Sequence, residues 1–551
     1  MNSMVTKPPQ RRPNIVLILN DDMGYSDLGC YGGEVQTPAL DRLAANGLRF
    51  SQFYNTARCS PSRASLLTGL HPHQTGIGIL TYDEGPEGYA GNLNDRCVTI
   101  AEVLRSGGYR TYMSGKWHVA SNLKQPTDSW PLQRGFDSFY GTIIGAGSFY
   151  DPNTLTRGND NVEHEARAPG FFYTDAISDQ AVEDIRRHQA EHPDQPFFEY
   201  VAYTAPHWPL HAHPDDIAKY RGRFDAGWDE LRAQRLERLV QSGVLGAQWQ
   251  LTPRDPSQPE WTAAEMDEQK RAWTLRCMEV YAAQIDRMDQ GIGRIVKQLE
   301  ASGQIDNTLV IFLADNGACA EDIPENVTVD ELVDKLMIAR KNTRDGAPVH
   351  FGNDSAVMPG PENTYQSYGT AWANLSNTPF RLYKHFIHEC GISTQLIFQW
   401  PDGIALGGAI RHTPGYLPDI MATLLDVTGI AYPSQWPGRS AIAALEGHSL
   451  KPAFERDGAA RPPMFWEHEG NAAVRIGDWK LVRRYPGAWE LYDLQADRTE
   501  LHDLASQHLD RVDDMARQYE AWAERCGVKP RDQVVARMRA QGVTRAFWED
   551  E

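Results

Sequence analysis

A cysteine and an arginine four residues apart are the pair in this sequence best suited to chemistry. They lie in Cys59-Ser60-Pro61-Ser62-Arg63, which continues through a leucine pair to Gly69. Proline is favoured in the first turn of a helix, so the segment predicts a helix that begins at or just after Cys59. Free backbone amides at a helix N-terminus favour an anion, and residues one turn apart share a face. The spacing therefore predicts that Cys59 and Arg63 face one anion-binding site.

Two pairs of oxygen-bearing side chains follow predicted buried strands. Asp21-Asp22 comes directly after the apolar run Ile15–Leu19, and Asp315-Asn316 comes directly after Leu309–Leu313. Ligand sites in open α/β sheets lie at the carboxyl ends of strands, so the two pairs are expected to meet. Such oxygens suit a hard divalent cation, Ca²⁺ or Mg²⁺, rather than zinc. Alone, each pair is more simply interpreted as a turn; beside the cysteine segment, the two predict a metal site.

Candidate cations, and in His118 a candidate proton-transfer group, occur near other predicted strand ends. Lys116 and His118 are two residues apart, so in an extended chain they share a face while Trp117 turns toward the core. His207 follows a predicted strand, and Lys384 precedes another. Each of these residues by itself is more simply interpreted as a surface lysine or as a packing or turn histidine. The chain carries 54 basic and 73 acidic residues, a net charge of −19, so any site for an anionic substrate needs such a local cluster.

The elements that must position these residues alternate along the chain. Short apolar runs bounded by turn signals alternate with helical patterns, which predicts a largely parallel sheet flanked by helices. Core strands are predicted at Ile15–Leu19, Tyr109–Ser114, Phe197–Tyr203, Leu309–Leu313 and Leu396–Trp400. Helices are predicted after the N-cap Thr37 as far as Gly47, after the capping box that Thr99 opens, over Met278–Glu300 and over Asp419–Val427.

The pattern changes after the Pro/Gly-rich passage Ala431–Arg439. Four short strands with close turns and the polar helix Asp510–Arg525 follow it. We therefore expect residues 1–440 to form the domain with the site, and residues 441–551 a small α+β domain with an antiparallel sheet. The polar segments Gly147–Thr174 and Glu321–Asn377 are too long for plain connections and are expected to cover the site.

Composition excludes several classes of protein. The acidic balance argues against nucleic acid or an anionic membrane as a partner. The first apolar run, Ile15–Leu19, is too short for a secretory signal or a spanning helix, so the sequence predicts a cytoplasmic protein. The seven cysteines are scattered and odd in number, which argues against a disulfide framework and against structural zinc.

These motifs together resemble the type I sulfatases of the alkaline phosphatase superfamily, most closely the bacterial arylsulfatases. The matching motifs are C-x-P-S-R…T-G at Cys59–Gly69, G-Y-x-T…G-K-W-H at Gly108–His118, A-P-H-x-P at Ala205–Pro209 and P-[FY]-R-x-x-K at Pro379–Lys384. The resemblance implies a large mixed, mostly parallel, alkaline phosphatase-like sheet between helices. One departure occurs at Glu389–Gln395, where the family often has Glu-Gly-Gly-x-Arg-x-Pro, and it puts only the local loop shape in doubt.

The resemblance also implies roles for the candidate residues. Cys59 is expected to be oxidised to formylglycine by a separate formylglycine-generating enzyme. One divalent cation, Ca²⁺ in preference to Mg²⁺, is expected as cofactor. The implied metal ligands are Asp21, Asp22, Cys59, Asp315 and Asn316. The implied catalytic residues are Cys59, Arg63, His118, His207 and Asp315, and the implied substrate-binding residues are Lys116, His207 and Lys384.

The implied activity is hydrolysis of small sulfate esters, in particular aryl sulfates, through a formylglycine hydrate and a covalent sulfoenzyme. The nearest alternative is a phosphate or phosphonate ester hydrolase of the same superfamily, because sulfuryl and phosphoryl groups need similar stabilisation. A cysteine phosphatase needs C-x₅-R, whereas the spacing here is C-x₃-R, which argues against that class of enzyme. A catalytically silent Ca²⁺-binding relative would have lost at least one of the catalytic and substrate-binding residues. All of them are present, namely Cys59, Arg63, Lys116, His118, His207 and Lys384.

Overall fold

The structure is a computed structural model that describes residues 11–82, 85, 87–262 and 266–540. The strands are β1 (Asn14–Asn20), β2 (Leu48–Tyr54), β3 (Arg110–Gly115), β4 (Ser138–Thr142), β5 (Leu155–Arg157), β6 (Asp160–Asn161), β7 (Phe197–Ala202), β8 (Thr308–Ala314), β9 (His350–Phe351), β10 (Thr364–Tyr365), β11 (Ser393–Gln399), β12 (Ala409–Arg411), β13 (Gly415–Tyr416), β14 (Met464–His468), β15 (Asn471–Ile476), β16 (Trp479–Arg483) and β17 (Glu490–Asp493). The α-helices are α1 (Pro38–Ala45), α2 (Cys59–Thr68), α3 (Pro72–Thr75), α4 (Ile100–Ser106), α5 (Tyr173–Glu191), α6 (Pro214–Ala218), α7 (Gly227–Gln241), α8 (Glu268–Ala301), α9 (Gly369–Ser376), α10 (Glu389–Ile392), α11 (Leu417–Thr428), α12 (Pro452–Glu455), α13 (Leu509–Cys526) and α14 (Arg531–Ala540).

The central sheet is mixed and mostly parallel, as the sequence predicts. Its order is β12-β2-β11-β8-β1-β7-β3-β4-β5-β6, with β13 also paired to β2. Strands β8, β1, β7, β3 and β4 run parallel to one another, while β11 is antiparallel to both β8 and β2. The start of β11 and the ends of β8, β1 and β2 therefore share one edge of the sheet. Sequence reasoning found the five central strands within a few residues and missed the strands that flank them, β2 and β4.

Both faces of the sheet are buried. Val16 and Ile18 of β1 pack on the side that carries α1, α5 and α8, whereas Ile15, Leu17 and Leu19 pack on the side that carries α2, α4 and α11. Every residue of β1 is buried, because helices cover both faces of a mostly parallel sheet. Each fully buried aliphatic side chain contributes roughly 1.5–3 kcal/mol, so the strands that carry the site are rigidly held.

The helix ends show where local sequence rules are sufficient. Thr99 accepts a hydrogen bond from the Glu102 amide at 3.1 Å and completes the predicted capping box of α4. The start of α1 is capped differently from the prediction, because Asp289 of α8 accepts from the amides of residues 39 and 40, at 3.0 and 2.8 Å. Helix α8 begins at Glu268, after the N-cap Asp267, which is before the predicted start at Met278. The prediction was late because the first turns of this helix are polar and lack the apolar period on which it was based.

The four C-terminal strands β14–β17 form a separate antiparallel sheet, as predicted. One of its faces packs against α13 through Tyr519 and Trp522. The other packs against Tyr54 and Ile392 of the large sheet region. The domain boundary at residue 440 stays a prediction. No helix among the described residues combines the length and the apolar character needed to cross a bilayer.

The segment Glu389–Gln395, whose sequence departs from the motif of the type I sulfatases, is contacted by the guanidinium of Arg498, a residue distant in the sequence. Arg498 Nε donates to Glu389 Oε2 at 2.9 Å, and its Nη2 donates to Ser393 Oγ at 2.7 Å. Ser393 stands where the family motif often has arginine. A positive charge is therefore present beside Glu389, although it comes from a segment beyond β17.

Candidate active site

Cys59 begins α2, and the whole of that helix is buried. Arg58 before it is extended, and Cys59 itself is 3% exposed. Ser62 Oγ accepts from the Thr56 amide at 3.1 Å and holds the approach to the helix. Arg63 lies one turn on and donates to Lys116 O at 3.0 Å and to Asp315 Oδ2 at 2.9 Å. The predicted helix start and the shared face of Cys59 and Arg63 are therefore present.

The two oxygen-bearing pairs meet, because β1 and β8 are adjacent parallel strands. Asn20 pairs with Ala314 at their ends, so the residues that follow emerge side by side. The Asp22 amide donates to Asp315 Oδ1 at 3.3 Å, and Asn316 Nδ2 donates to Asp22 Oδ1 at 2.6 Å. Asp21, Asp22, Asp315 and Asn316 are each at most 1% exposed. Three carboxyl groups are therefore buried in one cluster.

Cationic side chains surround this cluster. Lys116 Nζ lies 2.5 Å from Asp21 Oδ2, and Lys384 Nζ lies 2.9 Å from Asp22 Oδ2. His207 Nε2 lies 3.3 Å from the same Asp22 oxygen. Lys384 precedes β11, yet it reaches this edge because β11 runs antiparallel to β8. Lys116, Lys384 and His207 are thus brought together around the carboxyl groups.

His118, two residues after Lys116, has an unusual backbone conformation. Its φ is +54°, and a Cβ atom at Gly145 would lie 2.1 Å from its ring, so only glycine leaves room there. Burial, with the neighbouring Lys116 and Arg63, lowers the pKa of His118 well below its usual range. Trp117 between them is fully buried in the core, as the two-residue spacing predicts.

The oxygen cluster fits a divalent cation. Asp21 Oδ1 and Asn316 Oδ1 are buried and have no hydrogen-bond partner in the described part of the chain. Burial, together with the charge of Asp21, raises the pKa of Asp315 to about 8, and a bound cation would relieve both effects. Oxygen atoms of Asp21 and Asp22 and a ring nitrogen of His207 lie within 4.8 Å of one another. The donors are those of a hard ion, to which an oxygen at position 59 would add but a thiol would not.

The sequence analysis missed a fourth buried carboxyl group of the site, that of Glu321. Arg58 Nη1 donates to Glu321 Oε1 at 2.8 Å, and Trp208 Nε1 donates to its Oε2 at 3.0 Å. Lys384 Nζ is 3.8 Å from the same carboxylate. The only signals in the sequence are that Arg58 directly precedes the cysteine and that Glu321 opens a long polar segment. Glu321 positions the rim of the site.

A cavity of about 280 Å³ opens above Cys59, His118, His207 and Lys384. Its apolar wall consists of Leu80, Leu123, Ile144, Ala146, Trp208, Leu336, Met337 and Ile338. The segment Glu321–Asn377 lines it in part, as expected. The segment Gly147–Thr174 does not line it, because the residues at the cavity come just before that segment and the chain then turns into β5 and β6. Val534 and Met538 of α14 belong to the same hydrophobic cluster as Cys59 and Leu80, two residues that line this cavity.

Comparison with known proteins gives this fold and site a family. The sulfatase family model matches residues 13–430, and the C-terminal model of N-sulphoglucosamine sulphohydrolase matches residues 380–521. The chain therefore belongs to the sulfatase family, as a type I sulfatase and a sulfuric ester hydrolase. The family generally uses formylglycine and a divalent metal.

Two curated relatives and one solved structure illustrate the similarity. An uncharacterized sulfatase of Schizosaccharomyces pombe is 31% identical, with 94% of each chain covered. An arylsulfatase of Klebsiella aerogenes is 33% identical, with 80% of this chain and 92% of that one covered. The crystal structure of Ps i-CgsB in complex with k-i-k-neocarrahexaose has a TM-score of 0.66 at 23% identity, with 97% and 98% covered. That last likeness concerns the fold alone.

Proposed function

We propose that this protein hydrolyses aryl sulfate esters to a phenol and inorganic sulfate, with residue 59 as formylglycine. One observation carries the proposal: Cys59 begins a buried helix directly beside the oxygen cluster and the cations Lys116, Lys384 and Arg63. An anionic sulfuryl group bound there would meet positive charge on several sides, in a site from which water is largely excluded. The overall charge of −19 makes that local cluster necessary.

The proposed roles divide the residues by position. Asp21, Asp22, Asp315 and Asn316 would hold the divalent cation, with Ca²⁺ preferred to Mg²⁺. When bound, the cation supplies positive charge to the sulfuryl oxygens. Formylglycine, made from Cys59 by a formylglycine-generating enzyme, supplies an oxygen nucleophile in its hydrated form.

The proton transfers fall to the two histidines and Asp315. As the imidazolium, His207 donates the proton on Nε2 to the departing phenolate oxygen, while its Nδ1 donates to the carbonyl of Trp208 at 2.6 Å and so orients the ring. His118 accepts the proton of the second hydroxyl at position 59, and Asp315 that of the attacking one. Lys116 and Lys384 hold the sulfuryl oxygens, and Arg63 offsets the charge of the acids. Each proton-transfer group contributes roughly 10²–10⁴ in rate.

The aryl leaving group is inferred from the wall of the cavity. Leu80, Ile144, Leu336 and Ile338 lie beside the catalytic side chains, and Trp208 adds an aromatic face. Such a wall favours a flat apolar group over a charged saccharide. Similarity to the Klebsiella arylsulfatase supports the same choice.

The test is a substrate panel on protein co-expressed with a formylglycine-generating enzyme. The mass of the peptide bearing residue 59 is measured first, with an aldehyde-reactive probe. We then expect kcat/KM for 4-nitrophenyl sulfate to exceed that for 4-nitrophenyl phosphate, for a matched aryl phosphonate and for N-acetylgalactosamine 6-sulfate. Faster phosphonate or phosphate hydrolysis would favour the alternative activity, and faster turnover of the sugar sulfate would overturn the aryl assignment.

A matched pair of variants tests the apolar wall. Leu336→Asn places an amide in the cavity and should raise KM for aryl sulfates while kcat changes little. Leu406→Asn makes the same change at a leucine that is 48% exposed and does not line the cavity, so it serves as the control.

A further inference from the structure

A second group of metal-ligating side chains lies outside the oxygen cluster. A ring nitrogen of His385, a ring nitrogen of His468 and a carboxylate oxygen of Glu469 all lie within 4.8 Å of one another. His385 follows Lys384, while His468 ends β14 and Glu469 begins the turn to β15. The large sheet region thus contributes one ligand and the C-terminal sheet contributes two, where these two parts pack together.

The buried state of His468 needs an explanation. The residue is 0% exposed, and neither Nδ1 nor Nε2 has a hydrogen-bond partner in the part of the chain that the structure describes. A buried polar group without a partner is costly, and it commonly marks a bound ion or an ordered water. The His468 ring lies 5.6 Å from the ring of His385, which points to an ion shared between them.

Local backbone geometry holds two of the three groups in uncommon conformations. His385 has φ +81° and Glu469 has φ +50°, both in the left-handed region that residues with a Cβ rarely adopt. The His385 amide donates to Ala57 O at 2.9 Å, and the amide side chain of Asn471 donates to the carbonyl oxygens of His385 and His468 at 3.3 and 3.1 Å. The backbone of the group is therefore fixed from both sides.

Two of the three side chains, those of His385 and Glu469, face a large polar cavity. A space of about 570 Å³ is lined by His385, Glu469, Asn471, Arg484 and Arg531, among others. An ion held by the three side chains would therefore have an entry path and room for water at a further coordination position. Zinc bound by two histidines and one glutamate keeps such an open position in many proteins.

This second group adjoins the catalytic site through Glu321. That carboxylate lies 3.3 Å from His385 Nε2 and 2.8 Å from Arg58 Nη1, so it orients the histidine and offsets the nearby guanidinium, which also contacts the ring. Lys384 and Glu321 line both the apolar cavity and the polar one. An ion at His385 would thus lie behind the rim of the active site without sharing the ligands of the oxygen cluster.

We propose that His385, His468 and Glu469 form a second metal site, which binds a divalent ion of the zinc class. Imidazole suits Zn²⁺ and Co²⁺, whereas Ca²⁺ and Mg²⁺ prefer oxygen donors, so the two sites select different ions. The ion links the segment after Lys384 to the turn after β14 and stabilises the wall between the two cavities.

The experiment measures cobalt binding to the full chain after treatment with a chelator and in saturating Ca²⁺, which fills the oxygen cluster first. We expect one Co²⁺ to bind with the strong visible absorption of a four- or five-coordinate nitrogen-containing site, and Zn²⁺ to displace it. His468→Gln and Glu469→Gln should each remove that absorption. His502→Gln is the matched control, because its side chain is 64% exposed and lies elsewhere.

Circular dichroism and thermal melting of each variant establish that the fold is retained. Glu469→Gln is the second variant, because it exchanges a carboxylate for an amide of the same size. Absence of the cobalt absorption in the wild-type protein would overturn the proposal, and so would persistence of that absorption in both folded variants. Because metal binding is the readout, this result is independent of whether aryl sulfates are the substrates.

Discussion

The guanidinium of Arg63 and the carboxylate of Asp315 form a hydrogen-bonded pair that is completely removed from solvent. Nε and Nη2 donate to Asp315 Oδ2 at 3.2 and 2.9 Å, and both side chains are 0% exposed. Arg63 belongs to the helix that Cys59 begins, and Asp315 follows β8. The pair therefore joins the cysteine helix to the oxygen cluster.

Removal of Arg63 should destabilise the fold strongly. Arg63→Ala leaves the Asp315 carboxyl buried without its partner, which typically costs about 3–5 kcal/mol. Arg63→Lys keeps a charge but loses the two-pronged contact, so a smaller loss is expected. The free energy of unfolding in urea is the measurement. Arg517→Lys, in an exposed pair with Asp514, is the control, and an unchanged value for Arg63→Ala would contradict the role of the pair.

Replacement of Cys59 should abolish turnover and leave the fold intact. Cys59→Ala removes the precursor of the aldehyde, and Cys59→Ser supplies only one hydroxyl, with no second one to expel the sulfate. Release of 4-nitrophenol under multiple-turnover conditions is the measurement, with circular dichroism as the check on folding. Cys277→Ala, at a buried cysteine in α8 away from the site, should keep most of the activity. Sustained turnover by Cys59→Ala would exclude the formylglycine mechanism.

The effect of losing His207 should depend on the leaving group. If its Nε2 donates the proton to the departing oxygen, His207→Asn should cost roughly 10²–10⁴ in kcat/KM for phenyl sulfate, whose leaving group is poor. The loss should be much smaller for 4-nitrophenyl sulfate, because 4-nitrophenolate leaves without protonation. The measurement is the slope of log kcat/KM against the leaving-group pKa. His118→Asn serves as the comparison, since a residue that acts on position 59 after the phenol has left should leave this slope unchanged. An equal slope for both variants would refute this division of roles.

Divalent cations should stabilise the protein through the oxygen cluster. A ligand that binds only the folded state raises the free energy of unfolding, by about 2.7 kcal/mol at a concentration 100 times its Kd. We expect Ca²⁺ to raise Tm more than Mg²⁺ does, and Asp22→Asn to remove most of that increase. Asparagine tolerates the left-handed backbone of residue 22, whose φ is +67°, so the substitution tests the charge rather than the turn. Asp160→Asn, at an exposed residue of β6, is the control. A calcium response unchanged in Asp22→Asn would place the ion elsewhere.

Glu389 should govern part of the acid stability. Burial by itself raises the pKa of Glu389, but Lys480, Arg498 and Arg475 more than offset this and lower it from 4.5 to about 2. Because the folded pKa is depressed, the stabilisation is complete above about pH 4.5 and is lost as the pH falls toward 2.

We therefore expect Glu389→Gln to lower the free energy of unfolding at pH 7. The difference in this free energy between the wild-type protein and the variant should close as the pH falls toward 2. Urea unfolding at a series of pH values is the measurement. Glu524→Gln, at an exposed residue of α13, should follow the unmodified protein throughout. A gap that does not change with pH would show that the loss arises from packing rather than from the charge.

The amino-acid sequence by itself determined the chemistry and the local starts of its elements. Proline and cysteine spacing placed Cys59 at a helix start, and apolar runs located the strands that Asp21 and Asp315 follow. These features depend on residues close together in the chain, where period and capping are sufficient. The donor types alone indicated a hard cation.

Only the tertiary structure decided how Cys59, Lys384 and Glu321 reach the edge of the sheet where β1 and β8 end. Lys384 joins the site because β11 runs antiparallel to β8, and Cys59 joins it because β2 ends at the same edge of the sheet. Glu321 belongs to none of the motifs found in the sequence and does not directly follow a predicted strand. Its role follows from its contacts with Arg58 and Trp208. The order and direction of the strands depend on the burial of both faces of the sheet. That burial involves contacts between residues from the whole chain, so a local pattern of residues cannot predict it.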